Sequence, residues 1–175
     1  AKDDSIIIRV EAAGICAAER KIYSGNHPWD LGEIYRPGHE YVGVIAELGD
    51  KAAVQTGLAT GDRITAEILV PCRTCWFCRR GLYQHCDAPQ VCVGAWAEYL
   101  EIPMNALIHR IPSDLPALEA VLVEPLSCSI HAVNLARITF EDTVVISGLG
   151  AIGMGMLQAA QLRSPKNLIG LDIDP

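Results

Sequence analysis

The 175-residue sequence predicts a chain in two parts: a β-rich, barrel-like lobe, then one parallel βαβ unit. Three observations carry that prediction. Short strand-like runs divided by turn signals fill the first two-thirds. Four cysteines, Cys72, Cys75, Cys78 and Cys86, fall there at spacing C-x2-C-x2-C-x7-C. Beyond Pro112 the texture becomes helical, and Gly148, Gly150 and Gly153 stand between a strand and a helix.

Taken in order, Ser5–Val10 reads as the first strand and Ala17–Tyr23 as a short helix. YVGVIAEL, RITAEI and AEYLEI follow as strands. They are separated by GNHPWDLGEIYRPG, GDKAAVQTGLATGD and the cysteine loop, all rich in turn residues. SDLPALEAVLVEPLSCSIHAVNLARI then carries Ile130, Val133, Leu135 and Ile138 at helical spacing. The strand TVVIS, a helix running to Leu162 and the strand LIGLDI complete a β-turn-α-β order. The expected division is 1–120 and 121–175, within the Ser113–Glu124 stretch. A start inside one strand and an end just after another lead us to expect part of a longer chain.

Composition excludes several function classes. A formal charge of −7 and a pI near 5.1 argue against a nucleic-acid partner, which needs clustered Lys and Arg. No apolar run is long enough to span a bilayer, and the opening AKDDSIIIRV lacks the layout of a signal peptide. Seven cysteines form no even disulfide framework, so metal binding in a reducing compartment is the better reading and the cytoplasm the expected address.

The motifs point to chemistry with different force. Four thiolates can close a tetrahedral shell around one Zn2+ and leave no open position, so the cysteine loop should hold structure. In the glycine turn the first glycine permits the tight bend, the second admits a pyrophosphate and the third allows close helix–strand packing. Asp172 ends the next strand, 19 residues beyond Gly153, where a carboxylate would bind ribose hydroxyls and repel a 2′-phosphate. Asp174 competes for that role. Cys16, His39, Glu40 and Glu124 are residue types suited to zinc, though none is decisive alone. Three ligands with a fourth position open is the catalytic form of the metal.

GICAAE, PGHEYVGVI, GDRI, the cysteine loop, EPLSCSIHA and GLGAIG occur in the order seen in zinc-containing medium-chain alcohol and polyol dehydrogenases. The resemblance covers nearly the whole chain. It implies a GroES-like β-barrel catalytic domain followed by the start of a Rossmann domain that binds NAD through Gly148, Gly150, Ala151, Ile152, Gly153 and Asp172. It implies two zinc ions per chain. Cys16, His39 and Glu124 would hold the catalytic one, with Glu40 as alternate ligand, and Cys72, Cys75, Cys78 and Cys86 the structural one. The expected activity is hydride transfer from a secondary alcohol to NAD+. The EPLS context is similar to sorbitol dehydrogenase, and GICA and EPLSCS look most like threitol or erythritol dehydrogenases. The resemblance also implies a homo-oligomer, dimer or tetramer, acting on a small molecule without nucleic acid or membrane.

The sequence departs from the family in three respects. Ala17 and Ala18 stand where the family has glycine and a proton-relaying Ser or Thr, so the proton must leave through water and Glu124 or Glu40. The stretch from Cys86 to Gly94 is several residues shorter than the family pattern. The usual opening strand and everything beyond the second Rossmann strand are not in the sequence. His27 and Trp29 either line a substrate cleft or cover it, while Cys92, Cys128 and His131 read as ordinary side chains. Three alternatives stay open: a zinc dehydrogenase acting on threonine, a simple alcohol or a glutathione adduct; a zinc-ribbon binding module without catalysis; and a zinc-free reductase relative or inactive homologue in which Cys16 and His39 are idle.

Overall fold

The computed structural model describes residues 2–26 and 36–173. His27, Trp29 and Asp174 lie outside the described residues. The chain divides into two compact units, Ala1–Val121 and Leu122–Pro175.

The first unit is built on β1 (Ser5–Ala13), β2 (Tyr41–Leu48), β3 (Arg63–Ala66), β6 (Tyr99–Pro103) and β7 (Ile108–Arg110). They form one antiparallel sheet in the order β6-β1-β2-β3-β7. Alternation sets the register. Leu100 and Ile102 are buried while Tyr99 and Glu101 are exposed, so one face of β6 turns to the core. Ile6, Ile8, Ile45, Ile64 and Ile102 are each no more than 1% exposed, and each contributes about 1.5–3 kcal/mol by burial. Two register shifts bend the long β1–β2 pair. Beyond its end at Ala13 and before α1 (Ala17–Tyr23) lies the turn that carries Cys16.

The segment GDKAAVQTGLATGD holds α2 (Asp50–Thr56), where the sequence suggests only a turn. Lys51, Ala52, Ala53 and Gln55 are good helix formers, and Gly57 closes the helix in the left-handed region at φ 67°. The RITAEI run breaks after Ala66. β4 (Leu69–Val70) then leaves the sheet to pair with β5 (Gln90–Val91), and these two strands lead into and out of the cysteine loop.

The helical region after Pro112 is interrupted, giving α3 (Ala117–Ala120) and α4 (Val123–Ala136). Pro125 sits in the first turn of α4, where its missing N–H leaves no bond unmade. In the second unit α4 packs with α5 (Ala151–Gln161) over β8 (Thr143–Ser147) and β9 (Asn167–Leu171), which pair in parallel. Ser129, fully buried in α4, donates to the Ile152 carbonyl at 2.9 Å and packs against Gly155 of α5. Among the described residues no helix is long and apolar enough to cross a membrane.

Candidate metal centres and dinucleotide turn

The turn after β1 and the turn before β2 bring Cys16, His39 and Glu40 together, with one ligand atom of each within 4.8 Å of the others. Thiolate, imidazole and carboxylate form a donor set suited to Zn2+. A backbone hydrogen bond from Gly14 to the Glu40 carbonyl, 2.8 Å, ties the two turns. Gly14 also leaves room for the Glu40 side chain, since a Cβ there would lie 2.2 Å from its Oε2.

One residue organises this centre without having been singled out in the sequence. Glu19, its side chain 1% exposed, accepts three hydrogen bonds. Cys16 N–H donates to Oε2 at 2.8 Å, Gly38 N–H to Oε1 at 2.8 Å, and His39 Nδ1 lies 2.9 Å from Oε1. A carboxylate facing Nδ1 selects the tautomer with the proton there and leaves the Nε2 lone pair for a metal. The signal for Glu19 was the C-x-x-E spacing at the helix start, a capping-box pattern with Cys in place of Ser. Burial pushes the Cys16 thiol up, and the Glu40 and Glu19 carboxylates add to this. A divalent cation would reverse that balance, because coordination favours the thiolate. Glu124 lies in the first turn of α4, in the second unit.

In the cysteine loop all four Sγ atoms lie within 4.8 Å of one another. Cys72 Sγ and Cys78 Sγ are 3.9 Å apart, close to the ~3.8 Å edge of a tetrahedron built on Zn–S bonds of about 2.3 Å. Backbone N–H groups point at the sulfurs: Cys75 N to Cys72 Sγ and Cys78 N to Cys75 Sγ at 3.4 Å, and Cys72 N to Cys86 Sγ at 3.3 Å. Hydrogen bonds from the Thr74 side chain and nearby backbone pull Cys72 down to about 6, whereas burial pushes Cys78 up to about 12. A divalent cation among the four sulfurs would favour the thiolate form of each. Arg80 stacks on Trp76 at 3.8 Å outside the cluster. His85 lies against Phe77, with ring centroids 5.7 Å apart, and is not in the four-sulfur group. Cys92 is a core thiol beside the Tyr41 hydroxyl at 3.4 Å, and Cys128 is exposed; neither joins a metal-ligand group among the described residues.

In the second unit the glycine turn joins β8 to α5. Gly148 has φ 91°, a conformation costly for any side chain, and a Cβ on Gly153 would lie 1.7 Å from the Gly148 carbonyl oxygen. A Cβ on Gly150, by contrast, would meet nothing within 4 Å. The space beside the start of α5 is therefore open, as a pyrophosphate would need, with Ala151 and Ile152 supplying the first turn of the helix. Asp172, just past β9, accepts hydrogen bonds from Leu149 N–H of this turn and from Ile173 N–H.

The alcohol dehydrogenase GroES-like domain family matches residues 2–113. The chain is 45% identical to an erythritol/L-threitol dehydrogenase of Mycolicibacterium smegmatis, over 99% of this chain and 52% of that protein. It is 34% identical to a sorbitol dehydrogenase of Bombyx mori, over 98% and 50%. A Sinorhizobium meliloti protein solved bound to NADP superposes with a TM-score of 0.85 at 30% identity, over 97% of this chain and 49% of that one. The chain thus spans about half the length of these relatives. By domain match, sequence identity and fold, it belongs to the alcohol dehydrogenase family with a GroES-like domain.

Proposed function

We propose that this chain carries the catalytic lobe and the first part of the dinucleotide site of a zinc-dependent polyol dehydrogenase. The substrate we assign is a four-carbon sugar alcohol of the erythritol or threitol type, oxidised at a secondary hydroxyl. The observation that carries the reading is the convergence of Cys16, His39 and Glu40, with Glu19 holding both the Cys16 backbone and the His39 ring. Likeness to the erythritol/L-threitol dehydrogenase supports the substrate class.

In this reading Cys16, His39 and Glu124 hold the catalytic zinc, Glu40 serves as alternate ligand, and the four loop cysteines hold a second, structural zinc. When bound, zinc supplies Lewis-acid polarisation of the substrate hydroxyl and NAD+ supplies the hydride acceptor. Glu19 keeps the His39 ring oriented through its hydrogen bond with Nδ1, which leaves Nε2 to face a metal. Gly148, Gly150 and Gly153 shape the turn for the pyrophosphate, and Asp172 receives the adenosine ribose, favouring NAD over NADP. Ala17 and Ala18 have no hydroxyl to pass a proton, so it leaves through water and the carboxylate of Glu124 or Glu40. Glu124→Gln should lower turnover by roughly 10²-fold and shift its pH profile. Unchanged kinetics would remove Glu124 from the relay. The working state we assign is a homo-oligomer, measurable by light scattering.

The decisive experiment is a substrate panel with the full-length protein, followed at the NADH absorbance. It should contain erythritol, both threitol enantiomers, sorbitol, xylitol, threonine, ethanol and S-hydroxymethylglutathione, each with NAD+ and NADP+. Highest kcat/KM for a four-carbon polyol with NAD+ is expected. A preference for threonine, ethanol or the glutathione adduct would overturn the substrate assignment.

A further inference from the structure

The segment 94–96, between β5 and β6, touches both turns of the Cys16–His39 centre. Gly94 N–H and Ala95 N–H both donate to the Gly38 carbonyl, at 2.9 and 3.0 Å, and Trp96 N–H donates to the Pro37 carbonyl at 3.2 Å. These bonds fasten the segment to the residues immediately before His39. Gly38 has φ 99°, and a Cβ on it would lie 2.6 Å from both the Trp96 backbone nitrogen and ring Cδ1. The ring is therefore pressed onto the His39 turn. Its indole Nε1–H reaches in the other direction and donates to the Gly14 carbonyl at 2.9 Å, two residues before Cys16.

Among the described residues, the Cys16 turn is held by few bonds from outside the centre itself. Ile15 is 75% exposed and packs into no core. The described backbone anchors of residues 14–16 outside the turn itself include the Gly14 N–H to Glu40, the Cys16 N–H to Glu19, the Arg20 N–H to the Cys16 carbonyl and the Trp96 indole N–H to the Gly14 carbonyl. The first three come from residues of the centre or of the helix that Cys16 begins. The fourth reaches this turn from the remote segment 94–96. Trp96 is itself 43% exposed, so burial does not require an indole here; a phenyl ring would fill the same contact without an N–H.

We propose that Trp96 is a positioning residue for the Cys16–His39 centre, its indole N–H bracing the two ligand-bearing turns alongside the Gly14–Glu40 backbone bond. This deepens the metal-centre reading above and rests on it. The donor matters more than the ring's bulk. Partners that orient metal ligands without touching the metal typically change affinity 10–100-fold when removed. Acting through backbone, Trp96 belongs at the lower end of that range.

The test uses the full-length, zinc-loaded protein. Trp96→Phe removes the donor and part of the ring; genetically encoded β-(3-benzothienyl)alanine at position 96 keeps the bicyclic shape and replaces N–H by sulfur. Zinc affinity is read by competition with a chromophoric chelator, and ligand geometry by the visible spectrum after Co2+ exchange. Both variants should bind one of their two zinc ions about tenfold more weakly, shift the Co2+ bands of that site and lower kcat with KM for NAD+ unchanged. The four-thiolate site and the far-UV circular dichroism should not move. Wild-type affinity and Co2+ bands in the benzothienyl variant would overturn the proposal, even if Trp96→Phe folds poorly. A wild-type protein that binds only one zinc would overturn the metal-centre reading itself.

Discussion

The cysteine loop and the Cys16–His39–Glu40 group both gather metal-binding side chains, but they are built in opposite ways. In the loop, four sulfurs from residues 72–86 meet through short chain closures, and N–H groups of the loop itself point at them. In the other centre Cys16 and His39 come from turns at different strand ends, and a buried carboxylate, Glu19, holds them. A locally built centre lacks a core to keep its shape without metal; a centre assembled by a sheet keeps its scaffold when the metal leaves. Metal should therefore act as structure in the first and as chemistry in the second.

The largest expected effect breaks the loop. If the proposed two zinc sites are filled, Cys78→Ser should empty the loop site alone and remove much of the metal's folding contribution, on the order of 10 kcal/mol for structural zinc in small domains. Soluble yield, thermal melting and zinc content would show it. A variant that kept its fold and both zinc ions but lost turnover would contradict the comparison.

Next comes Glu19→Gln, which keeps the shape and removes the charge facing His39. Metal affinity at the Cys16 centre and turnover should fall about 10–100-fold, while the fold and the four-sulfur site are retained. Unfolding comparable to that of Cys78→Ser would show that the two centres do not differ as argued.

A glycine pair extends the comparison to the second unit. Gly153→Ala places a methyl against backbone and should destabilise by about 1–3 kcal/mol, seen in thermal melts. Gly150→Ala fills open space, so melting should be unchanged while dinucleotide affinity, measured by calorimetry, falls.

The smallest effect concerns acid. Backbone N–H groups of Ala59 and Thr139 hold Asp62 and Asp142 below the ordinary 3.8. A depressed carboxyl stabilises the fold above pH 3.8 and loses that contribution as pH falls through its lower native value. Asp142→Asn should flatten melting temperature against pH below about 4, equally with and without zinc. A zinc-dependent change would tie this turn to a metal centre.

The readability of the chain follows the same division. β2 could be bounded from YVGVIAEL because strand propensity and the turn residues on either side agreed, and α1 was visible between its turns. β7, three residues long, had no pattern to read, and α2 was hidden by the glycines around it. Glu19 looked like any surface acid of a short amphipathic helix; its role appears only when Gly38 and His39 fold over it.

By itself, the sequence determined the spacing of the four cysteines, the glycine turn after an apolar strand and the change from short strands to a β-turn-α-β unit. Each depends on contacts within a few residues, which spacing alone encodes. Tertiary structure decided the burial of Glu19, the approach of Cys16 to His39 and Glu40, and the reach of Trp96 to Gly14. These are meetings of chain segments 20 to 82 residues apart, fixed by strand register and by which face of each strand is buried.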